Sequence, residues 1–203
     1  MVVLQRGDWT SKERIIAFTD AVLAIIMTIL VLDLKKPSAM TWAGLYGLRE
    51  SFFAYALSFF WVGLMWYSHH NAWQKVKVIG NSTVVWTLFM LFLASLFPYT
   101  TSLMATHFYN PTAQSLYGIV VILVSFCNVG ISHTLNTANR PLRFGLLFYL
   151  PNYLTVLDFV IKFVGLAIAV TIYPPAMAYA VLINIGLLLI PVKNNLGTVT
   201  RNH

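Results

Sequence analysis

Charge is what this sequence has least of. Across 203 residues, Asp, Glu, Lys and Arg make up 9%, against 59% hydrophobic residues. A soluble domain carries about a quarter of its residues as charged side chains. This chain lacks the charge to cover a water-facing surface, which excludes a soluble globular protein and a disordered one. Its one cysteine, Cys127, excludes an intrachain disulfide and with it a disulfide-stapled scaffold. Several functional signatures are also missing: a Thr-Val-Gly-Tyr-Gly filter, an arginine ladder for voltage sensing, a P-loop and a nucleophile elbow. No enzyme motif stands out, and none is expected. What is left is an all-α integral membrane protein. Its net charge of +7 would suggest nucleic acid in a soluble chain. Here no nucleic-acid partner is expected, because lysine and arginine gather in the cytoplasmic loops of membrane proteins.

A spanning helix needs about 20 mostly apolar residues, since the hydrocarbon core is roughly 30 Å thick. The uncharged run Val78 to Asn139 is long enough for two, divided at the Asn110-Pro111 turn signal. Ser51 to Ser68 supplies another, and Tyr173-Pro174-Pro175 splits the run Phe163 to Val192. Six transmembrane helices result, near 15–34, 49–72, 82–106, 112–135, 147–172 and 175–192, in a single domain over 1–203. No small-residue cleavage site follows the first apolar run, so that run is expected to be a mature helix rather than a signal peptide. With six spans both termini share a side. That side holds nine of the basic residues and the other holds three, which places both termini in the cytoplasm.

The first helix is the polar one, and it carries Asp20 inside the span. A carboxylate at that depth faces protein or water rather than lipid, and is a functional candidate by default. On the same helix Ile25, Thr28, Ile29 and Leu32 fall at i, i+3, i+4 and i+7, which is one face. That spacing fits packing against other helices, and it fits a pore wall of aliphatic rings with a hydroxyl between them. The second helix ends in Trp66-Tyr-Ser-His69-His70-Asn71. Adjacent histidines point about 100° apart, whereas a helical metal pair wants i, i+3 or i, i+4 spacing, so no metal is expected. A hydrogen bond to Asp20 is the better role for them. Asp158 and Lys162 sit at i, i+4 in the fifth helix and are expected to neutralise one another as an ion pair. A proton-coupled secondary transporter using Asp20, Asp158, Lys162 and the histidines is the alternative these residues leave open.

Arg14-x-x-x-Phe18-Thr19-Asp20, opening a first transmembrane helix, resembles the R-x-x-x-F-S-D signature of the transmembrane protein 175 family. Those proteins are potassium-permeable channels of endosomes and lysosomes, with shorter prokaryotic members. The stretches Trp66 to Asn71 and Leu96-Phe-Pro98 to His107 agree with it too. Eukaryotic members carry two six-helix repeats and dimerise, and this chain is the size of one repeat. The resemblance therefore implies a prokaryotic homotetramer in the cell membrane, a leak-type channel selective for K⁺, with the first helix of each subunit around the pore. It implies that Ile25 is the hydrophobic constriction, extended by Ile29 and Leu32, and that Thr28 serves K⁺ selectivity. Arg14, Phe18, Thr19, Asp20, His69, His70 and Asn71 would form the polar network that supports the pore helix. No cofactor is implied beyond permeant K⁺ and other monovalent cations. Thr19 keeps the hydroxyl of the usual serine, while Ala24 stands where some members place a pore hydroxyl, which implies weaker selectivity.

Overall fold

A computed structural model describes residues 9–140, 144–148 and 151–199, with side chains described from 12 to 189 within those ranges. The regular secondary structure of the described residues is helical, apart from one isolated bridge between Gly145 and Phe148. The helices are α1 (Trp9–Leu30), α2 (Trp42–Tyr46), α3 (Arg49–Lys75), α4 (Asn81–Ala94), α5 (Phe97–Thr106), α6 (Pro111–Ala138), α7 (Asn152–Thr171) and α8 (Ala176–Val199). Among the described residues, four segments are long and apolar enough to cross a membrane: Lys12–Asp33, Asn81–Thr106, Pro111–Ala138 and Asn152–Thr171. This is a membrane protein. The 27-residue α3 is more polar, with Ser58, Ser68, His69, His70, Asn71 and Gln74 along it, and the apolar part of α8 covers Ala176–Leu189.

Local chemistry sets the boundaries. Asn110 caps α6, its side-chain oxygen accepting from the N–H groups of Thr112 and Ala113 at 2.9 and 3.2 Å, with Pro111 pre-set in the first turn. Three expected boundaries are corrected. The span near 82–106 is broken at Ser95 and Leu96, because Pro98 has no N–H to give the carbonyl of Ala94 and its ring crowds that position. The chain tightens there, with Leu96 N–H donating to Leu93 at 3.1 Å, and restarts as α5. The helix expected from 147 begins instead at Asn152, just after Pro151. Phe148 before it takes a left-handed backbone, φ 51°, which costs an L-residue about 1–2 kcal/mol and is tolerated with its ring buried. Finally, α1 ends at Leu30 and continues as a 3₁₀ turn over Val31–Asp33, so Leu32 lies past the α-helix proper.

The bundle is built around α6, which packs against α4, α5, α7 and α8. Close approach depends on small residues, as is usual between membrane helices. A Cβ at Gly130 would stand 2.5 Å from the ring of Trp86 on α4, and one at Gly118 would stand 2.7 Å from Met177 on α8. The α3–α4 connection is held by one side chain. Asn139, just past α6, accepts from the N–H groups of Lys77 and Val78 at 2.8 and 2.9 Å and donates to the carbonyl of Val78 at 2.8 Å. Lys12 of α1 donates to Val76 in the same connection. In contrast to α6, α1 touches the rest of the chain on one side only, against α3, α4 and α5.

Candidate functional site

Thr19, Leu23, Ile26 and Leu30 repeat at i, i+4, i+7 and i+11 and are the buried face of α1. The opposite face has no neighbour among the described residues. Phe18, Ile25, Thr28, Ile29 and Leu32 lie on it and are exposed, Ile25 by 56% and Leu32 by 77%. Packing within the chain therefore does not account for the aliphatic spacing at 25, 28, 29 and 32. The Thr28 hydroxyl donates back to the carbonyl of Ile25 at 2.9 Å. With its proton committed to the backbone, the oxygen presents lone pairs outward from the helix.

Behind this face, Asp20 is partly buried and accepts from the indole N–H of Trp66 on α3 at 2.9 Å. The donor is a tryptophan from the 66–71 motif, not the histidine expected from the sequence. His69 and His70 diverge, as neighbours on a helix must. His69 is buried and bonds Asn128 of α6 at 2.7 Å, while His70 bonds Gln74 at 2.8 Å and its ring lies 5.4 Å from that of Trp66. Thr19 donates to the carbonyl of Ile15 at 2.8 Å, and Arg14 is exposed in the second turn of the helix. Asn71 is partly buried on the turn after His70. The expected network is thus two networks: Asp20 with Trp66 and His70 beside α1, and His69 with Asn128 deeper in the bundle.

The second cluster is further in. Lys162 and Asp158 are buried to 2% exposure and form an ion pair on α7. Lys162 also donates to Ser125 of α6 at 2.7 Å and lies over the rings of Trp61 and Phe159. Asn184 of α8 donates to the backbone carbonyl of Asp158 at 3.4 Å. These contacts belong to a stripe the sequence reading missed. Gln114, Tyr117, Ser125, Asn128 and Ser132 of α6, with Asn139 just past its end, follow helical spacing, and all are buried. Ser58 of α3 bonds Thr101 at 2.7 Å and donates to the Tyr117 hydroxyl at 3.2 Å, so the stripe is joined to α3 and α5. The signal was there as polar residues three, four, seven or eight apart, on one helical face of an uncharged run. Among the described residues no three of His, Cys, Asp and Glu gather as metal ligands. Asp20, His69 and Lys162 bond different partners, Trp66, Asn128 and Ser125 respectively.

Comparison with known proteins places this arrangement. The sequence model of the family described as endosomal/lysosomal potassium channel TMEM175 matches residues 14–98, which run from the second turn of α1 into the first turn of α5. A protein of Chryseobacterium sp. named as a potassium channel is 41% identical over 113 residues, covering 56% of this chain and 59% of its own length. The chain spans less than two thirds of the length of the curated bacterial relatives it matches. The human protein named endosomal/lysosomal proton channel TMEM175 is 37% identical over 79 residues, 33% of this chain and 16% of its own length. The crystal structure described as a lysosomal potassium-selective channel TMEM175 homolog from Chamaesiphon minutus shares the fold. Its TM-score is 0.59 at 20% identity, over 92% of this chain and 97% of that one.

Proposed function

We propose that this chain, whose residues 14–98 match the sequence model of the TMEM175 family, is a member of that family and forms a homotetrameric, K⁺-permeable leak channel whose pore is walled by α1. Six spans are assigned to each protomer: α1, α3, α4 with α5, α6, α7 and α8. The observation that carries the reading is the one-sided packing of α1. Its Thr19 to Leu30 face is buried in its own chain, and its Ile25 to Leu32 face is bare. Four copies turned inward would bring four Ile25 side chains together as the narrowest apolar ring. Methyl and methylene groups cannot replace an ion's water shell, so such a ring gates by dewetting. Four Thr28 oxygens, their protons held by the backbone, would offer partial coordination one turn further along. Selectivity built this way is modest beside a carbonyl filter.

The excess of basic residues on one side supports an orientation with both termini in the cytoplasm of a prokaryotic cell membrane. Beyond permeant K⁺ and other monovalent cations, the reading requires no cofactor and no reaction. The proton-coupled transporter is the weaker reading, because Asp20, His69 and the Asp158–Lys162 pair are not hydrogen-bonded into one chain: they bond Trp66, Asn128 and Ser125 respectively. The name of the human relative still makes protons an ion to measure alongside K⁺. Purified protein in liposomes is expected to pass K⁺ down its gradient, with single-channel steps and a reversal potential that favours K⁺ over Na⁺. Verified tetramers that pass no K⁺ would overturn the channel reading. A saturable flux with fixed proton stoichiometry and no unitary current would replace it with the transporter.

A further inference from the structure

Five buried side-chain polar atoms lack a protein partner among the described residues: Trp61 Nε1, His69 Nδ1, Trp73 Nε1, Gln114 Oε1 and Asn184 Oδ1. Buried polar side chains occur on nearly every helix, and many satisfy themselves locally, as Thr87 and Thr100 do by donating to their own helix. The five unpaired atoms are not scattered in this way. Gln114 is part of the α6 stripe. The Trp61 ring lies 5.9 Å from Lys162 Nζ, which bonds Ser125 of the stripe. Asn184 bonds the backbone of Asp158, the partner of Lys162. His69 bonds Asn128 of the stripe, and the Trp73 ring stacks beside His69 at 6.0 Å. All five follow one seam down the middle of the protomer.

We propose that this seam binds water inside each protomer, at the level of Lys162, Trp61 and Asn184 and again at His69 and Trp73. The chemistry of the unpaired atoms selects the ligand. Two indole N–H groups are donors, and a lysine ammonium has three donors of which two are used here. Two amide oxygens are acceptors, and the imidazole has a ring nitrogen free. A metal or potassium ion would satisfy the oxygens and be repelled by Lys162 and the indole N–H groups. An anion would meet the Asp158 carboxylate. An apolar occupant would leave all five unpaired, and a buried polar group without a partner is costly. Water donates and accepts in one molecule, and buried waters in proteins typically make about three hydrogen bonds to groups such as these. The seam is therefore hydrated yet closed to K⁺, and it stands apart from the bare face of α1. This inference does not rest on the pore reading.

The test is water-edited solid-state NMR on proteoliposomes carrying ¹⁵N-labelled tryptophan indoles. Trp61→Phe and Trp73→Phe, which keep an aromatic ring, assign the two resonances. Magnetisation from water is expected to reach the Trp61 and Trp73 indoles as fast as that of Trp42, which is exposed outside the spans, and faster than that of Trp86 on α4. The double variant Asp158→Leu with Lys162→Met removes both charges together and is expected to abolish the transfer at Trp61 while keeping it at Trp73. Asn184→Leu, a single uncharged change, is the second variant and is expected to slow transfer at Trp61 alone. Indoles at 61 and 73 that build up as slowly as Trp86 would overturn the proposal. So would transfer at Trp61 that survives both variants. The readout needs no ion flux, so a protein that passes no K⁺ but shows wet indoles fails as a channel and keeps its hydrated seam.

Discussion

Helices α1 and α6 are both uncharged over most of their length, yet they dispose their side chains in opposite ways. On α1 the branched aliphatic residues Ile25 and Ile29 are exposed, and the inward face carries a hydroxyl at Thr19. On α6 the polar residues Gln114, Ser125 and Asn128 are buried, and Leu116, Ile119, Leu123 and Phe126 are exposed. The difference follows from neighbours. With α4, α5, α7 and α8 around it, α6 has partners for its polar groups. With neighbours on one side only, α1 leaves a whole face for something outside the chain. Within one bundle, then, a polar residue marks the inside of α6, while an apolar face marks the side of α1 that the described residues leave uncovered.

The sharpest way to break the comparison is at α7. Asp158→Leu alone strands Lys162 in the bundle, and removing one partner of a buried ion pair costs roughly 3–5 kcal/mol. The variant is expected to lose folded protein in a thermal-unfolding series monitored by size-exclusion chromatography. Adding Lys162→Met is expected to restore it, since replacing both partners by apolar groups is often neutral or stabilising. If Asp158→Leu melts like the parent, the pair is not held as described.

Next comes the support of α1. Asp20→Ala leaves the Trp66 indole N–H without its acceptor, at a cost of roughly 1–3 kcal/mol. Loss of oligomer or of folded protein is expected rather than altered selectivity, and Trp66→Phe is expected to cost less than Asp20→Ala because it strands only an acceptor that water can reach beside α1. An Asp20→Ala protein with normal stability would show that this bond does not hold α1.

On the bare face, Ile25→Asn puts amides where the proposed channel has its apolar ring, which would wet it and offer oxygens to any cation. Conductance is expected to rise and preference for K⁺ over Na⁺ to fall, by up to about tenfold, which is about 1.4 kcal/mol. If conductance and reversal potential stay unchanged, Ile25 faces lipid or protein. The smallest effect is expected at Thr28. Thr28→Ala removes one oxygen per subunit and leaves the hydrophobic barrier in place, so the reversal potential shifts with little change in conductance.

Much of this was legible in residue order. The Asn110-Pro111 start of α6 and the Tyr173-Pro174-Pro175 break before α8 are local chemistry, written in adjacent residues. So was the i, i+4 pairing of Asp158 with Lys162. The break at Ser95 and Leu96 was legible too, through Pro98, but a hydropathy count averages over a single proline. What residue order did not carry was pairing between distant positions. Trp66 reaches Asp20 from 46 residues away, and His69 reaches Asn128 from 59 away. A tryptophan, a histidine and an asparagine each have several acceptable partners. Only the packing of α1, α3 and α6 decides among them.

Asn139 has a consequence for the timescale on which the α3–α4 connection moves. A short link between long helices is ordinarily where amide protons exchange first, because nothing intramolecular holds them. Here the N–H groups of Lys77 and Val78 are both held by one side chain that is itself buried, and Lys12 holds the carbonyl of Val76. Opening this link means withdrawing Asn139 from the end of α6, so its amides exchange with the helix that owns Asn139 rather than as a loop. The link therefore behaves as a rivet between the first helix and the central one, and a disturbance at either end is felt by the other.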